Sequence, residues 1–175
     1  NGYNEKATIS GFPNKYNSFN VNAVVVLHHN DGEPCNGITI NNVILQGTQT
    51  VSNTNDLTTY SKYAIYAPMS SHCSYTNLGF RGCAYAYYTY DCWVTRFSKV
   101  YVTYCMNGLV HAVRDDVQEH HWTGTSLGVD NIGFSNVNLP IDVNHLAYSN
   151  IRTVTIDNNV LRSNGIKTKV LKAIN

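Results

Sequence analysis

Five six-residue stretches share one pattern: INNVIL (40–45), YTNLGF (75–80), FSKVYV (97–102), VDNIGF (129–134) and YSNIRT (148–153). Each reads apolar or aromatic, any residue, Asn or Lys, aliphatic, any residue, then usually apolar. The aliphatic anchors are Val43, Leu78, Val100, Ile132 and Ile151, separated by 35, 22, 32 and 19 residues. A base unit of about 20 residues with two expansions marks a stack of repeats, each covering the apolar side of the one before. Short runs of Val, Ile, Tyr and Thr are broken by Asn and Gly, and no segment sustains helical spacing. The repeats are therefore expected to be built from short strands.

Strand alternation sorts the positions after each anchor. Two residues on stand Leu45, Phe80, Val102, Phe134 and Thr153; five on stand Thr48, Cys83, Cys105, Val137 and Ile156. These are expected to point inward and stack on the next repeat. Three on stand Gln46, Arg81, Thr103, Ser135 and Val154, mostly polar and expected outward. Cys83 and Cys105 then sit one strand spacing apart, about 4.8 Å, and read as stacked buried thiols. The competing architecture, an antiparallel sandwich, requires two-residue hairpin turns. Asn107-Gly108 and Asn164-Gly165 are the candidates with strand-like residues on both sides.

Charge excludes several partners. Only 13% of residues are charged and the net charge is +1, with no Lys/Arg run to track a phosphate backbone, so no nucleic acid is expected. No apolar run reaches the roughly 18 residues of a membrane helix, so no membrane insertion is expected. The chain opens on Asn1 with no visible signal peptide, which reads as a processed or excised piece. The five Cys form no CxxC and no Cys/His zinc spacing. Neither a metal nor a cofactor is expected.

The repeated pattern, above all in GFRGCAYAYYTYDCWVTRFSKVYVTYCMNGLVHAV (79–113), resembles the right-handed parallel β-helix of bacteriophage tailspikes and the pectate-lyase-like superfamily. The resemblance covers roughly residues 36–160 and is one of coil pattern, so it speaks to fold more than to activity. It implies an all-β, single-stranded right-handed parallel β-helix of about six coils. Residues 1–20 would be an irregular lead-in, 21–160 the β-helix, and 161–175 a further coil or the start of the next segment. It also implies a homotrimeric tailspike of the virion tail, assembled in the host cytoplasm, that binds and usually cleaves capsule or O-antigen polysaccharide. Family members run to many more coils and are capped, and an uncapped solenoid exposes core and strand edges. The chain is accordingly read as one piece of a longer protein.

Three constellations are candidates for chemistry. HAVRDDVQEHHW (111–122) holds three of the eleven acidic residues and three of the seven histidines. It falls in the 32-residue interval, where an expansion loops out from one face, often the binding face. Asp115 or Asp116 with Glu119 would supply the acid and second carboxylate of a glycosidase. Arg114 with His111, His120 or His121 would supply the cation and base of a lyase. Asp116, His120 and His121 have no diagnostic metal spacing, and a plain solvated acidic loop remains the alternative. His120, His121 and Trp122 are also substrate-binding candidates. In CAYAYYTYDCW (83–93), alternation places Tyr85 and Tyr87 with Cys83, opposite Ala84 and Ala86. Tyr85, Tyr87 and Trp93 are candidates for stacking on sugar rings, with an aromatic core stack as the alternative. Third, the row Gln46, Arg81, Thr103 and Ser135, with Tyr101 nearby, reads as an extended polar groove or an ordinary solvated surface. Asp142, outward in LPIDVN (139–144), adds a further acid for that face. The leading reading is a depolymerase of bacterial surface polysaccharide, by hydrolysis or β-elimination. A non-catalytic carbohydrate-binding adhesin and a structural stalk are the alternatives.

Overall fold

The computed structural model describes residues 7–10, 14–16, 19–27, 34–47, 61–112, 124–157 and 166–172. Among them are twenty strands and no helix. In chain order these are β1 (Ala7–Ser10), β2 (Asn14–Tyr16), β3 (Phe19–Val21), β4 (Ala23–Val26), β5 (Cys35–Asn36), β6 (Thr39–Asn41) and β7 (Val43–Gln46). Then come β8 (Ser61–Tyr66), β9 (Met69–Ser71), β10 (Ser74–Thr76), β11 (Gly79–Arg81), β12 (Cys83–Thr89), β13 (Asp91–Trp93) and β14 (Arg96–Thr103). The last are β15 (Asn107–His111), β16 (Gly124–Thr125), β17 (Gly128–Ser135), β18 (Leu139–Ala147), β19 (Asn150–Asp157) and β20 (Ile166–Lys172).

Eight strands (β1, β6, β7, β10, β11, β14, β17, β19) form one sheet, and ten (β4, β5, β8, β9, β12, β13, β15, β16, β18, β20) form another. Every pairing in both sheets is parallel and joins one repeat to the next. The antiparallel sandwich falls with that. Asn107-Gly108 is no hairpin turn but lies inside β15. A Cβ on Gly108 would stand 2.1 Å from the Pro140 carbonyl oxygen and 2.5 Å from the Phe134 ring, so only glycine fits. Three short strands are described that begin within residues 1–20. β1 pairs in parallel with β7, Ala7 opposite Val43 and Ile9 opposite Leu45, and β2 and β3 form an antiparallel pair.

Four of the five anchors are in register: Val43, Leu78, Val100 and Ile132 stand in one column. The fifth is not. Ile132 pairs with Val154, while Ile151 pairs with Val129. The last repeat therefore reads IRTVTI (151–156), three residues later than YSNIRT, and its spacing becomes 22 rather than 19. Thr153 and Val154 leave the inward and outward columns, and Ile156 and Asp157 replace them.

Thirteen described residues have positive φ, between 51° and 68°, and they fall in three columns. One is Gly37, His72, Val94, Ser126 and Tyr148. The second is Asn42, Asn77, Lys99, Asn131 and Thr153. The third is Gly82, Tyr104 and Asn136. At nine of them the amide N–H donates to a carbonyl of the next repeat, as from Asn77 to Ser98 and from Tyr104 to Ser135. A single left-handed residue turns the chain without breaking the ladder, and Gly and Asn enter that region most cheaply. The Asn of the motif is thus a corner residue. The Asn77 amide donates to the Asn42 side-chain carbonyl along the column.

The core lies between the sheets. Leu45, Phe80, Val102 and Phe134 stack from one side, and Ile65, Tyr87, Leu109 and Ile141 from the other, all within one buried cluster. Each such side chain is worth about 1.5–3 kcal/mol in transfer from water. All five Cys are free thiols. Cys73, Cys83 and Cys105 each follow a corner and donate to the carbonyl two residues back, as Thr95 and Ser149 do at equivalent positions. Burial pushes the Cys105 thiol up to about 12 and raises that of Cys83 as well, so these two act as small capping donors and not as nucleophiles.

Candidate functional site

The outer face of the eight-stranded sheet carries two grooves over β14, β17 and β19, one on each side of the Lys99–Asn131–Thr153 corner. The first, about 560 Å³, is lined by Lys99, Tyr101, Asn131, Gly133, Thr155 and Asp157 among others. Tyr101 is 51% exposed, the most exposed large apolar side chain among the described residues. It lies over Gly133, where a Cβ would meet its ring carbons at 2.7 and 3.0 Å. Glycine there lets the ring rest along the sheet instead of standing off it. The second groove, about 450 Å³, is lined by Arg96, Ser98, Ser126, Asp130, Tyr148 and Arg152 among others. The Arg96 stem passes over Gly128 at ordinary contact distance, 3.5 Å from where a Cβ would be. Arg152 and Asp130 form an exposed ion pair at 3.5 Å.

The polar row stands as expected. Gln46, Arg81, Thr103 and Ser135 form one ladder, and Asp157 extends it. The Arg81 guanidinium sits 5.5 Å from the centre of the Tyr104 ring.

The tyrosines of β12 require correction. Tyr85 and Tyr87 do not share a side. Ladder contacts skip the column Val24, Ala64, Ala86, Gly108 and Pro140. Ala86 and Tyr87 both enter the core there. Tyr87 is 2% exposed, is hydrogen-bonded to Ser70 at 3.1 Å and packs on Tyr75 and Phe97. It cannot touch a substrate. Tyr85 instead joins an outer cluster with Tyr63, Tyr66, Tyr88 and Tyr90. Burial, and then the neighbouring phenols, raise the Tyr63 and Tyr66 hydroxyls, that of Tyr66 to about 12. Trp93 is half-buried at the end of β13, between Ser71 and Thr125.

His111 is corrected as well. It is 1% exposed, in the inward column between Thr89 and Val143. That column faces the core, so the ring is closed off from any surface groove. Arg114, Asp115, Asp116, Glu119, His120, His121 and Trp122 lie outside the described residues. Their points of attachment are described. β15 pairs with the first half of β18 and β16 with its end, so β18 runs unbroken past the place where 113–123 depart and return. Gly124, the first residue back, is two residues ahead of Ser126, which lines the second groove. Asp142 belongs to the ten-stranded sheet, opposite Val110, and accepts from the Asn144 amide at 3.1 Å. It is therefore not on the face of Tyr101.

Arg96, Asp130, Tyr148 and Arg152 escaped the reading from sequence. The signal was there: in the aligned repeats Gly128 falls opposite Arg96 and Gly133 opposite Tyr101. Comparison with protein-family models, curated proteins and solved structures gave no match.

Proposed function

We propose that the chain is a right-handed parallel β-helix of about six coils, part of a homotrimeric tailspike of the virion tail that recognises and depolymerises a bacterial surface polysaccharide. In-register parallel ladders, corner columns and one core between two sheets support the β-helix. The strong right-handed preference of parallel crossovers supports its hand. The observation that carries recognition is Tyr101, half exposed and laid over Gly133 beside a ladder of polar side chains. An aromatic face in a long polar groove suits a sugar ring whose hydroxyls need partners on either side.

Cleavage rests on Asp115, Asp116 and Glu119, whose segment rejoins the chain beside the second groove. A non-catalytic adhesin is the second reading. It is favoured by the single carboxylate that the described residues bring to each groove, Asp130 in one and Asp157 in the other, since a glycosidase of the usual kind needs two.

The test is incubation with a panel of capsular and O-antigen polysaccharides, reading binding by affinity electrophoresis and cleavage by new reducing ends. Absorbance at 232 nm distinguishes a lyase from a hydrolase. Tyr101→Ala should weaken binding, and Asp115→Asn with Glu119→Gln should abolish new ends while binding stays. Binding without new ends leaves the adhesin; neither binding nor cleavage on any polymer refutes the proposal.

A further inference from the structure

We propose that the second groove is an anionic subsite that takes a carboxylate-bearing sugar residue, with the Arg96 guanidinium as its recognition group. This rests on the polysaccharide reading above and names the substrate class. The chain is poor in charge, with 12 basic against 11 acidic residues, yet this one groove holds two arginines and one aspartate. Asp130 is engaged by Arg152 at 3.5 Å. Among the described residues no carboxylate lies within ion-pair distance of Arg96, which is exposed. Counted over the described residues, the groove therefore carries one uncompensated positive charge.

Gly128 leaves the Arg96 stem room to lie along the sheet with its charged end in solvent. A planar guanidinium meets a carboxylate through two parallel hydrogen bonds, a match that a neutral sugar does not offer. Ser98, Ser126 and Asn150 add hydroxyl and amide groups on the same lining for sugar hydroxyls. Tyr148, 40% exposed, closes the rim from a left-handed corner with φ of 52°. Glycine would adopt that conformation more cheaply than tyrosine. Both grooves lie over the same three strands, so a polymer running along the strands passes from Arg96 to Tyr101. One free arginine without a basic track does not suit a nucleic acid.

The experiment titrates the 175-residue chain with oligogalacturonate, with maltohexaose as a neutral control and a ten-nucleotide oligothymidylate as a non-sugar anion. It follows arginine side-chain and backbone amide NMR signals. Oligogalacturonate should shift the Arg96 Nε–H and the Ser126 and Asn150 amides, whereas maltohexaose should shift only signals near Tyr101. Arg96→Gln should weaken oligogalacturonate about tenfold, the scale of one lost charge-assisted contact, with maltohexaose binding and the thermal midpoint unchanged. Arg152→Gln should matter less, because its charge is already paired. If Arg96→Gln leaves oligogalacturonate affinity unchanged while Tyr101→Ala lowers it, the anionic subsite is refuted and the polysaccharide reading stands. Equal, Arg96-dependent binding of the oligothymidylate also refutes it. If no sugar shifts either groove, both fall.

Discussion

Two outer faces of this protein carry tyrosines, and they use them in opposite ways. On the ten-stranded sheet, Tyr63, Tyr66, Tyr85, Tyr88 and Tyr90 lean on one another across β8 and β12, with ring centres 4.9–6.1 Å apart. Tyr63 and Tyr66 are left only 7% and 8% exposed. On the eight-stranded sheet, Tyr101 has Gly79 on one side and Gly133 on the other, and it keeps half its surface. The residue type is the same; the residue opposite it on the next strand decides. A tyrosine facing another tyrosine becomes packing, worth about 0.5–1.5 kcal/mol per pair beyond area burial. A tyrosine facing glycine becomes a surface on which a ligand can rest.

The largest test of that contrast is truncation. Tyr66→Ala should cost about 2–4 kcal/mol in urea unfolding, from lost burial and the lost partners of Tyr63 and Tyr88. Tyr101→Ala should stay within about 0.5 kcal/mol, as for an ordinary surface change. Equal losses would mean that the two faces are built alike.

Alkaline pH gives a second, smaller contrast. The folded protein holds the Tyr66 phenol proton more tightly than the unfolded chain, where the hydroxyl titrates near 10. The stability contributed by the neutral cluster is therefore fully present below pH 10 and is lost as pH climbs toward about 12. Unfolding midpoints at half-unit steps from pH 9 to 12 should fall more steeply for the native sequence than for Tyr66→Phe. Absorbance at 295 nm should show the Tyr63, Tyr66 and Tyr88 phenols ionising late. Identical slopes would remove burial as the cause.

The repeat itself was legible because its physics is local. Apolar residues must alternate, which four repeats obey, and a left-handed corner prefers Asn, which three of those four carry, Lys99 standing in the other. The fifth was misread because its corner is Thr153, a β-branched residue in the left-handed region, while Asn150 offered a false match three residues earlier. The misfit was visible: Thr153 stood in a column of Leu, Phe and Val, and Val154 stood in a column of polar residues. The Tyr85 and Tyr87 assignment failed for another reason. Alternation holds only along an unbroken ladder, and the ladder skips Ala86, as it skips Ala64 and Gly108 in the neighbouring repeats. His111 looked catalytic by type and by its acidic neighbours, yet the ladder from Thr89 to Val143 carries it inward. Arg96 and Tyr101 gain their meaning from glycines 32 residues away, which no local window contains.

Corners supply the third test, at about 0.5–1 kcal/mol. Val94 and Thr153 hold φ of 51° and 55°, a conformation that Asn enters more easily. Val94→Asn and Thr153→Asn should each raise the thermal midpoint by a few degrees. Both corners border the eight-stranded sheet's grooves, so sugar affinity should be read on the same variants. Unchanged affinity makes the strain a cost of topology alone. A drop would mean that the strained corners set the shape of the groove, and the contrast between the faces would then lie in the backbone as well as in the side chains.

Gly133→Ala should have the smallest effect on stability and the most informative one on binding. The new Cβ would stand 2.7 Å from Tyr101 Cδ2, too close to remain. The neighbour is the far end of an exposed side chain, so the ring can swing away at a cost of well under about 1 kcal/mol, and alanine recovers part of that by stiffening the unfolded chain. The sugar would then lose its resting place. Affinity should fall about as far as in Tyr101→Ala, on the order of tenfold. The double variant should bind no worse than either single one, because both remove the same contact. Additive losses would show that Gly133 and Tyr101 act separately, and the idea that the opposite residue decides a tyrosine's role would fail at the position where it is sharpest.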